Sequence, residues 1–434
     1  MLLRKELGVT ENSYYEATVR RPASAPSLDE RISADVCVVG GGYAGISAAL
    51  ELAERGYSVA LLEAQRLGWG ASGRNGGQVI VGMGPEGECA MEEQLDPEDA
   101  RRAWDVSLEG MRLIQDRMRK HGIECEYRPG YLSLVVKPRR RAQLERWARH
   151  VIQAYGYPLQ FIGPDEIRDW VASDRYHSAV FDPGSGQMHP LKYCLGLGEA
   201  ARAAGVRIYE HSPVLYVERG ARPVAKTGQG EVACRFMLLA GNVYLDEYGD
   251  GIAPELSGRI MPVGTYIIAT EPMERTRADA LMRNRPAASD TNHILDYFRV
   301  SADDRLIFGA GESYSARTPI NLVPRMRARM LGVFPQLADL SITHSWGGFV
   351  DISLNQAPDF GRLGDNIYYL QGFSGHGLAM SGMAGRLVAE AIAGQAERFD
   401  LFARIKHHRF PGGALMRTPA LALGMLYYRM LDLL

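Results

Sequence analysis

A short apolar run that ends in a cluster of glycines constrains the fold more than any other stretch of the chain. Residues 34–39 (Ala-Asp-Val-Cys-Val-Val) predict a buried parallel strand, and Gly40–Gly45 follow it directly. Residues 46–55 have the composition of a helix, and residues 57–62 predict a second strand that ends at Glu63. This order of strand, glycine turn, helix and strand predicts the first unit of a parallel α/β sheet.

The spacing of Gly40, Gly42 and Gly45 matches a dinucleotide-binding turn. Gly40 permits the tight turn, Gly42 lets the backbone approach a pyrophosphate, and Gly45 lets the helix pack closely on the strand. The helix N-terminus offers unpaired N–H groups to the phosphates, and Glu63 can accept hydrogen bonds from the ribose hydroxyls. An ordinary strand–helix–strand unit with a glycine-rich turn is the alternative, and the acid at the end of the second strand favours the nucleotide.

Composition and charge exclude several other classes of protein. The 434 residues are 46% hydrophobic and 23% charged, with a net charge of −2, which gives no reason to expect nucleic acid as a partner. The cysteines are scattered without metal-ligand spacing, which fits a reducing cytoplasm; they are Cys37, Cys89, Cys125, Cys194 and Cys234. We expect no metal site, no signal peptide and no transmembrane segment.

Two later glycine-rich segments indicate that the bound nucleotide is long. Residues 68–77 come directly after the ribose-binding acid, so we expect them to contact the rest of the same cofactor; a flexible surface loop is the alternative. Residues 364–378 repeat the order of strand, glycine turn and helix, and we expect this helix N-terminus to be a second cofactor contact. Three converging glycine segments favour a cofactor with a large ring system over a nicotinamide nucleotide.

The remaining patterns indicate an α/β protein, α+β overall, with a Rossmann-like domain and a second domain built on an antiparallel sheet. We predict further helices over 96–121, 139–155, 164–171, 190–205, 324–334 and 378–393, and further strands over 127–137, 206–209, near Val214, and over 236–242, 265–269, 293–300 and 306–310. The dinucleotide domain is predicted to comprise 34–90, 186–245 and 341–400, and the second domain 91–185 and 246–340. Residues 1–33 are predicted as an N-terminal arm and 401–434 as a C-terminal segment.

Taken together, these motifs resemble the D-amino acid oxidase superfamily of FAD-dependent oxidoreductases. The resemblance rests on VCVVGGGYAGISAALELAERGYSVALLEA, GWGASGRNGGQ and YYLQGFSGHGLAMSGMAGRLVAEAI. Within that superfamily, SYYEATVRRP, YFRVSADDRLIFGAGE and IKHHRFPGG with LGMLYYR resemble the γ-glutamylputrescine oxidoreductases. The similarity runs from about residue 13 to the end of the chain.

The resemblance implies that FAD lies extended across the three glycine segments. It implies non-covalent binding, because no cysteine or histidine stands where several relatives tether their flavin. A helix N-terminus, worth roughly +0.5 charge, would stabilise negative charge on the flavin pyrimidine ring. The implied contacts are Gly40, Gly42, Tyr43, Ala44, Gly45, Glu63, Ala64, Gly70, Ala71, Ser72, Asn75, Gly76, Gly77, Gln78, Val214, Ala240, Gly241, Gly372, Gly375, His376, Gly377 and Leu378.

Four residues are candidates for a role in the chemistry itself. Tyr297 and Arg299 belong to a predicted strand of the second domain and are candidates for the substrate face; packing within the sheet is the alternative. Arg74 is a candidate for assisting oxygen reduction, with a phosphate or backbone contact as the alternative. His376 either faces the ligand or is a polar residue of a tight turn. No Ser/His/Asp triad is needed, because the cofactor carries the chemistry.

The sequence also bears on the substrate. Relatives that act on α-amino acids place an arginine after a Trp-Ala/Gly-Gly strand to bind the carboxylate, and the comparable residues 346–353 contain no arginine. This difference favours a primary amine whose reacting carbon carries no carboxylate, such as γ-glutamylputrescine or a similar polyamine derivative. The resemblance implies oxidation to an imine, hydrolysis to aldehyde and ammonia, and reoxidation of the flavin by dioxygen with release of hydrogen peroxide.

Two other functions remain open at this point. One is a dehydrogenase that passes electrons to a quinone, because residues 411–434 carry an apolar tail that suits either peripheral contact with a membrane or packing in a core or homodimer. The other is a non-catalytic FAD-binding redox sensor. A full second domain favours an enclosed substrate site and therefore an enzyme.

Overall fold

Two β-sheets and the helices that cover them form the protein. The computed structural model describes residues 12–249, 251–311, 318–411, 423, 424, 427 and 430–432. The predicted tail around Leu421, Met425, Leu426 and Tyr428 lies outside the described residues.

The first sheet contains the predicted parallel strands, to which three short strands are added in antiparallel pairing. Its main strands lie in the spatial order Asp359–Arg362, Ile367–Gln371, Glu231–Leu239, Arg31–Val39, Val59–Leu62 and Arg207–Tyr209, with Tyr216–Glu218 and Val224–Lys226 added beside Glu231–Leu239. The strand Arg31–Val39 pairs in parallel with both Val59–Leu62 and Glu231–Leu239. Its inner half is fully buried, as expected for a central strand with helices on both faces of the sheet.

The second sheet is mostly antiparallel. Its strands lie in the order Ile342–Ser353, Ile260–Thr270, Leu306–Gly311, Asp296–Val300, Ala287–Asp290, Arg128–Val135, Ser178–Gln187 and Gln78–Val79, and Gln160–Ile162 pairs with Ser178–Gln187. One neighbouring pair, Arg128–Val135 with Ala287–Asp290, is parallel. The sheet is therefore mixed, whereas the sequence predicts an antiparallel sheet. A long intervening chain provides the crossover that a parallel pair requires.

The predicted helices are all present with slightly shifted bounds, and the described residues contain five further helices that the sequence does not predict. The helices are Tyr14–Ala17, Tyr43–Glu54, Pro85–Gln94, Pro97–His121, Pro138–Tyr155, Ile167–Trp170, Pro190–Ala203, Leu245–Tyr248, Arg275–Leu281, Leu322–Val333, Gly377–Ile392 and Glu397–Ala403. Pro97–His121 begins at an Asp96 cap, has acids in its first turn and ends at Gly122 in a left-handed conformation, as its sequence indicates. Within the described residues, no helix combines the length and apolar character that crossing a bilayer requires.

Three strands pair differently from what the predicted domain boundaries suggest. The sequence predicts 341–400 as part of the dinucleotide domain, but the strand Ile342–Ser353 pairs along its length with Ile260–Thr270 in the second sheet. Gln78–Val79 also joins the second sheet, and Ser178–Gln187 crosses the predicted boundary at 185. Local patterns identify a strand without identifying its partner, because pairing depends on residues far away in the chain.

Some elements differ locally from their prediction. Val214 lies before a short strand, Tyr216–Glu218, and is buried in the apolar core behind the first sheet. The strands Ser178–Gln187 and Ala287–Asp290 and the helix Pro85–Gln94 were not predicted. Asp-Pro-Gly-Ser-Gly within the first of these strands is typical of a turn, and its pairing with two neighbouring strands outweighs that local preference.

A buried carboxylate joins the helices that cover the first sheet. Glu51 of Tyr43–Glu54 accepts hydrogen bonds from Arg117 Nη2 at 3.0 Å and from Arg386 Nη2 at 2.9 Å, which belong to two other helices. Burial by itself raises the pKa of Glu51, but hydrogen bonds and charges from Arg55, Arg117 and Arg386 outweigh it and lower the pKa to about 2. The ionised carboxylate therefore stabilises the packing of these helices.

Replacing this carboxylate should destabilise the protein in a pH-dependent way. The pKa of Glu51 is lower in the folded protein, so its contribution is present above its ordinary pKa of 4.5 and is lost as the pH falls toward 2. We expect Glu51→Gln to lower the free energy of unfolding by about 3 kcal/mol at pH 7 and by less at pH 3. Urea unfolding at both pH values measures the difference.

The control is Glu54→Gln on the same helix, where Glu54 is partly exposed and pairs with Lys120. This substitution should lower the free energy of unfolding by less than about 1 kcal/mol. An equal loss from Glu51→Gln at both pH values would contradict a role for its charge.

Candidate cofactor and substrate site

One large cavity is lined by residues from both sheets. Its volume is about 1060 Å³, at the upper end of what small-molecule sites occupy. Its lining includes the turn at Gly40–Gly42, the loop 69–78, strand residues of the second sheet and the turn at Ser374–Gly377. The three glycine segments predicted to converge are thus walls of the same cavity.

The first wall is the N-terminus of the helix Tyr43–Glu54. Its N-cap residue, Gly42, provides no side-chain hydrogen bond, so the helix directs backbone N–H groups toward the cavity. Side chains are excluded here, because a Cβ on Gly42 would lie 2.8 Å from Ser72 Oγ. A Cβ on Gly45 would lie 2.0 Å from the carbonyl oxygen of Gly40, which explains why helix and strand can pack this closely.

Glu63 lies where the sequence places it, at the end of the second strand. Its Oε2 accepts a hydrogen bond of 2.6 Å from Gly41 N–H, and its Oε1 accepts one of 2.8 Å from Gln65 N–H. Burial raises the pKa of this carboxyl, against the opposing effect of the backbone hydrogen bonds. Glu63 and Ala64 both line the cavity, so the carboxylate is available to hydroxyl groups of a ligand.

The loop after Glu63 is held by its own side chains. Asn75 Nδ2 donates to the carbonyl oxygen of Ala71 at 3.0 Å, and Asn75 Oδ1 accepts from Gly77 N–H at 2.8 Å. Ser72 Oγ accepts from Tyr43 N–H at 3.0 Å, and Gln78 Nε2 donates to the carbonyl oxygen of Ala288 at 2.8 Å. The loop is therefore an ordered bridge between the two sheets, which contradicts a flexible surface loop.

Arg74 is buried behind the wall of the cavity. Its guanidinium carbon lies 3.9 Å from the centre of the Trp69 ring, and its carbonyl oxygen accepts a 2.9 Å hydrogen bond from Trp346 Nε1. Its Nε and Nη2 are buried and make no hydrogen bond to the described residues. Burial lowers the pKa of this guanidinium. The structure does not place Arg74 among the lining residues, and its roles toward oxygen or phosphate stay predictions.

The second helix N-terminus is positioned by a buried carboxylate. Asp351 Oδ2 accepts hydrogen bonds from Gly372 N–H at 2.6 Å and from Phe373 N–H at 3.0 Å, and so fixes the turn before Gly377–Ile392. Burial raises the pKa of Asp351 to about 6, although these hydrogen bonds oppose the increase. Gly372 itself lies behind the lining, whereas Gly375 and Gly377 reach it.

His376 lies at the start of this helix and lines the cavity. It is the N-cap residue, makes no side-chain cap, and its ring packs against Gly84. Burial lowers the pKa of its imidazole, so the ring is neutral at pH 7. Its Nδ1 is buried and makes no hydrogen bond to the described residues. The ligand-facing alternative for His376 therefore has geometric support, and its catalytic role stays a prediction.

Tyr297 and Arg299, predicted as a pair, have different surroundings. Tyr297 lines the cavity, and its hydroxyl lies 2.8 Å from Thr265 Oγ1. Arg299 does not line it: its guanidinium donates to Gly76 O at 2.8 Å, to Gln187 Oε1 at 3.1 Å and to Tyr15 OH at 3.0 Å. Arg299 thus joins the arm, the loop and the second sheet, which supports the packing alternative, and its assignment to the substrate face stays a prediction.

Most of the predicted cofactor residues line the cavity. They are Gly40, Gly42, Tyr43, Ala44, Glu63, Ala64, Gly70, Ala71, Ser72, Asn75, Gly76, Gln78, Val214, Ala240, Gly241, Gly375, His376, Gly377 and Leu378. Gly45, Gly77 and Gly372 lie behind it, where they allow close backbone packing. The assignment of each residue to the cofactor stays a prediction.

Sequence reasoning missed a set of acidic residues in the lining. The carboxylates that line the cavity are Glu63, Glu86, Glu88, Asp182, Asp290 and Asp351. Among the described lining residues, Arg140 is the one arginine or lysine, and it is paired with Asp432 at 2.9 Å. Apart from Glu86 and Glu88 of the helix Pro85–Gln94, the acids come from separate elements, so no spacing in the sequence connects the set. Their common location makes the lining of the cavity acidic.

Three of these acids, Glu88, Asp182 and Asp290, form no ion pair with a described residue. Glu88 Oε2 accepts a 2.8 Å hydrogen bond from Trp147 Nε1, and burial raises the pKa of Glu88 to about 7. Asp182 accepts from Tyr157 OH and Ser185 OH, and burial raises its pKa also. Burial and the neighbouring Asp296 carboxylate raise the pKa of Asp290 to about 7. Buried carboxylates without an ion-pair partner favour a cation beside them.

Comparison with known proteins identifies similar chains. A family of FAD-dependent oxidoreductases, abbreviated DAO, matches residues 35–391. A γ-glutamylputrescine oxidoreductase from Escherichia coli (strain K12) is 41% identical over 97% of this chain and 98% of its own length. A probable oxidoreductase OrdL from Haemophilus influenzae is 40% identical, with 97% of each chain covered.

Solved structures with this fold include more distant enzymes. Glycine oxidase from Geobacillus kaustophilus superposes with a TM-score of 0.70 at 21% identity, covering 84% of this chain and 95% of that chain. L-proline dehydrogenase from P. horikoshii superposes with a TM-score of 0.68 at 22% identity, covering 85% and 94%. These superpositions show that this chain and the two enzymes share a fold.

The cavity fits FAD, the cofactor in the family description, on two observations. The cradle at Gly40–Gly45 has no room for added Cβ atoms, and the two helix N-termini supply N–H groups of the kind that phosphates and an electron-rich ring bind. The buried Nε and Nη2 of Arg74 and Nδ1 of His376 are unpaired polar groups next to or within the same walls. Such groups are expected where a bound ligand completes their hydrogen bonds.

A methyl group at Gly42 should block this cradle. We expect Gly42→Ala to weaken FAD binding at least tenfold, because Ser72 would have to move from the first N–H group of the helix. Titration of the apoprotein with FAD, followed by flavin fluorescence, measures the dissociation constant. Gly332→Ala, whose Cβ meets no atom within 4 Å, is the control and should bind FAD normally. Equal affinities in both variants would contradict this placement.

Proposed function

Because the chain belongs to the DAO family of FAD-dependent oxidoreductases, we propose that it oxidises the primary amine of γ-glutamylputrescine to an imine, which water hydrolyses to an aldehyde and ammonia. When bound, FAD supplies the two-electron acceptor for the C–H bond next to the nitrogen, and dioxygen takes those electrons on to hydrogen peroxide. The Gly40–Gly45 turn, Glu63 and the turn at Gly375–Gly377 are the residues that would hold it.

The observation that carries this proposal is the charge of the cavity lining. Six lining carboxylates face one arginine, which already pairs with Asp432. A lining of this kind attracts an ammonium group and repels a carboxylate close to the reacting carbon. Residues 346–353 also lack the arginine with which amino-acid-oxidising relatives hold a carboxylate. Both features favour an amine over an α-amino acid at the reacting end.

The protein must also remove a proton from the amine before the electrons leave. An alkylammonium with a pKa of about 10.4 is neutral in roughly one molecule per thousand at pH 7. The site therefore has to offset about 3 pK units, or about 4 kcal/mol. Desolvation against Tyr297, Trp147 and Phe410 contributes in that direction, since these side chains line the cavity. His376 is neutral and adds no opposing positive charge.

Carboxylates near the reacting nitrogen act in the opposite direction, because they stabilise its ammonium form. A carboxyl group whose own pKa lies near 7 avoids part of this conflict, since it can accept the proton and become neutral. Glu88 has that property and lines the cavity. We therefore assign to Glu88 the binding of the ammonium group and the acceptance of its proton.

Anaerobic mixing tests the proposal directly. γ-Glutamylputrescine should bleach the visible absorbance of the bound FAD, and glycine or a D-amino acid at the same concentration should bleach it far more slowly. An unchanged spectrum with γ-glutamylputrescine, beside bleaching by another amine, would remove this substrate. Bleaching by no amine would favour a redox sensor.

The electron acceptor is tested in the same preparation. Under air, an oxidase should form hydrogen peroxide in proportion to the amine consumed. A dehydrogenase should form almost none and should require a quinone. The exposed side chains of Leu423, Tyr427 and Met430 are compatible with a surface contact of the C-terminal segment, which the dehydrogenase alternative would need.

Glu88 should make amine binding depend on pH. Its pKa is about 7, so it is neutral below that pH and anionic above it, and affinity for an ammonium ligand should rise as the pH increases from 6 to 8. We expect Glu88→Gln to weaken amine binding about tenfold at pH 8 and to flatten the pH dependence. The dissociation constant from anaerobic reduction rates measures both effects.

The control for this variant is Glu93→Gln on the same helix, where the side chain is exposed and does not line the cavity. It should leave affinity and pH dependence unchanged. If Glu88→Gln retains the pH dependence of the native protein, the titrating group is another lining acid.

A further inference from the structure

Arg140, His293 and Ile294 form a carboxylate-binding arrangement in the wall of the cavity. In the sequence these residues lie far from the three glycine segments. Arg140 Nη2 donates to Asp432 Oδ1 at 2.9 Å. The backbone N–H of His293 donates to the same oxygen at 2.9 Å, and the N–H of Ile294 donates to Asp432 Oδ2 at 2.9 Å. One guanidinium and two consecutive N–H groups therefore converge on both oxygens of a single carboxylate.

The donors of this arrangement are fixed before any ligand arrives. Arg140 belongs to the helix Pro138–Tyr155, and its Nη1 donates to the carbonyl oxygen of Thr291, which joins the helix to the loop. The side chains of Arg140 and Asp432 are 14% and 13% exposed, so the pair is largely removed from water. Charge-assisted hydrogen bonds of this kind are about twice as strong as neutral ones.

The loop that provides the two N–H groups also carries an acid. Asp290 accepts hydrogen bonds from the N–H of Asn292 at 3.0 Å and from its Nδ2 at 3.1 Å, and it forms no ion pair with a described residue. Asp290, Arg140, His293 and Ile294 all line the cavity. The same short segment thus presents donors for a carboxylate and an acceptor for an ammonium group.

A carboxylate and an ammonium group on neighbouring positions are the two charges of an α-amino-acid end group. Two backbone N–H groups of a cavity-lining loop complete the Arg140–Asp432 pair, and Asp290 of the same segment forms no ion pair with a described residue. The donor set matches how proteins hold a free carboxylate, by a guanidinium fork together with consecutive N–H groups.

We propose that Arg140 and the N–H groups of His293 and Ile294 bind the α-carboxylate of the substrate, that Asp290 binds its α-ammonium group, and that Asp432 occupies the carboxylate position until substrate displaces it. This inference rests on the proposed function, in which the far end of the amine is a γ-glutamyl group. It makes the site specific for an amine that carries an α-amino-acid group at the end opposite to the reacting nitrogen.

Two substrates distinguish recognition of the γ-glutamyl end from recognition of the reacting amine. γ-Glutamylputrescine carries the α-amino-acid group, whereas N-acetylputrescine has the same primary amine and an amide without it. Arg140→Met should lower kcat/KM for γ-glutamylputrescine by about 10- to 100-fold and change it less than about threefold for N-acetylputrescine. Arg140→Lys, which keeps a charge without the fork, should lie between the native protein and Arg140→Met.

The matched control is Arg141→Met, on the same helix. Arg141 pairs with Glu145, is 41% exposed and does not line the cavity. This variant should treat both amines as the native protein does. An equal loss on both substrates for Arg140→Met would overturn the proposal, because it would indicate a general defect of the cavity.

Asp432→Asn tests the displacement. It removes the internal carboxylate charge from the site, so KM for γ-glutamylputrescine should fall about threefold or more while KM for N-acetylputrescine stays the same. If Asp432→Asn lowers kcat/KM for γ-glutamylputrescine as Arg140→Met does, Asp432 is a fixed part of the structure. The proposal that substrate displaces Asp432 is then wrong.

Binding without turnover distinguishes this inference from the proposed function. γ-Glutamylethylamide keeps the α-amino-acid end and lacks the reacting amine. Calorimetry with the FAD-loaded protein should detect its binding, weakened at least tenfold in Arg140→Met and retained in Arg141→Met. If no amine reduces FAD but this ligand binds as expected, the oxidation proposal fails and the subsite stands. If amines are oxidised but this ligand does not bind, the subsite fails alone.

Discussion

The site depends on a backbone contact that only glycine permits. The helix Tyr43–Glu54 lies so close to the end of the strand Arg31–Val39 that a Cβ on Gly45 would come within 2.0 Å of the carbonyl oxygen of Gly40. This approach directs the helix N-terminus, with its unpaired N–H groups and positive dipole end, into the cavity. The loop around Ser72 and Asn75 then folds against that N-terminus and continues into the second sheet, so one local contact orders the junction between the two sheets.

Buried carboxylates maintain the remaining geometry, and they do so in two ways. Glu51 is paired with arginines of two other helices, which lowers its pKa and makes its charge stabilising. Asp351 has backbone N–H groups as partners, which fix the turn before the second helix N-terminus, and its pKa is raised because burial outweighs those hydrogen bonds. Both acids act through the helices they position. Glu51 thus holds the helix Tyr43–Glu54 against its neighbours near its C-terminal end, whereas Asp351 fixes the N-terminus of the helix Gly377–Ile392.

The lining combines two electrostatic demands that conflict. Attraction of an ammonium group requires negative charge, whereas removal of its proton requires a site in which the neutral amine is stable. Acids with pKa values near 7, such as Glu88 and Asp290, meet both demands in part, because each can exist in either form at physiological pH. Apolar and aromatic side chains of the same cavity provide the desolvation. Recognition at Arg140 would add specificity at the opposite end without placing positive charge beside the reacting nitrogen.

The sequence by itself determined what is contiguous: the strand–turn–helix unit, the acid at Glu63, the three glycine segments, most helices and the family. These features depend on neighbouring residues, for which local periodicity and glycine geometry suffice. Only the tertiary structure decided which sheet Ile342–Ser353 joins, that Arg299 joins the arm, the loop and the second sheet, and that acids from the helix Pro85–Gln94 and from the strands Ser178–Gln187 and Ala287–Asp290 meet in one cavity. Strand pairing and shared burial connect residues far apart in the chain, and no local pattern encodes such a distance.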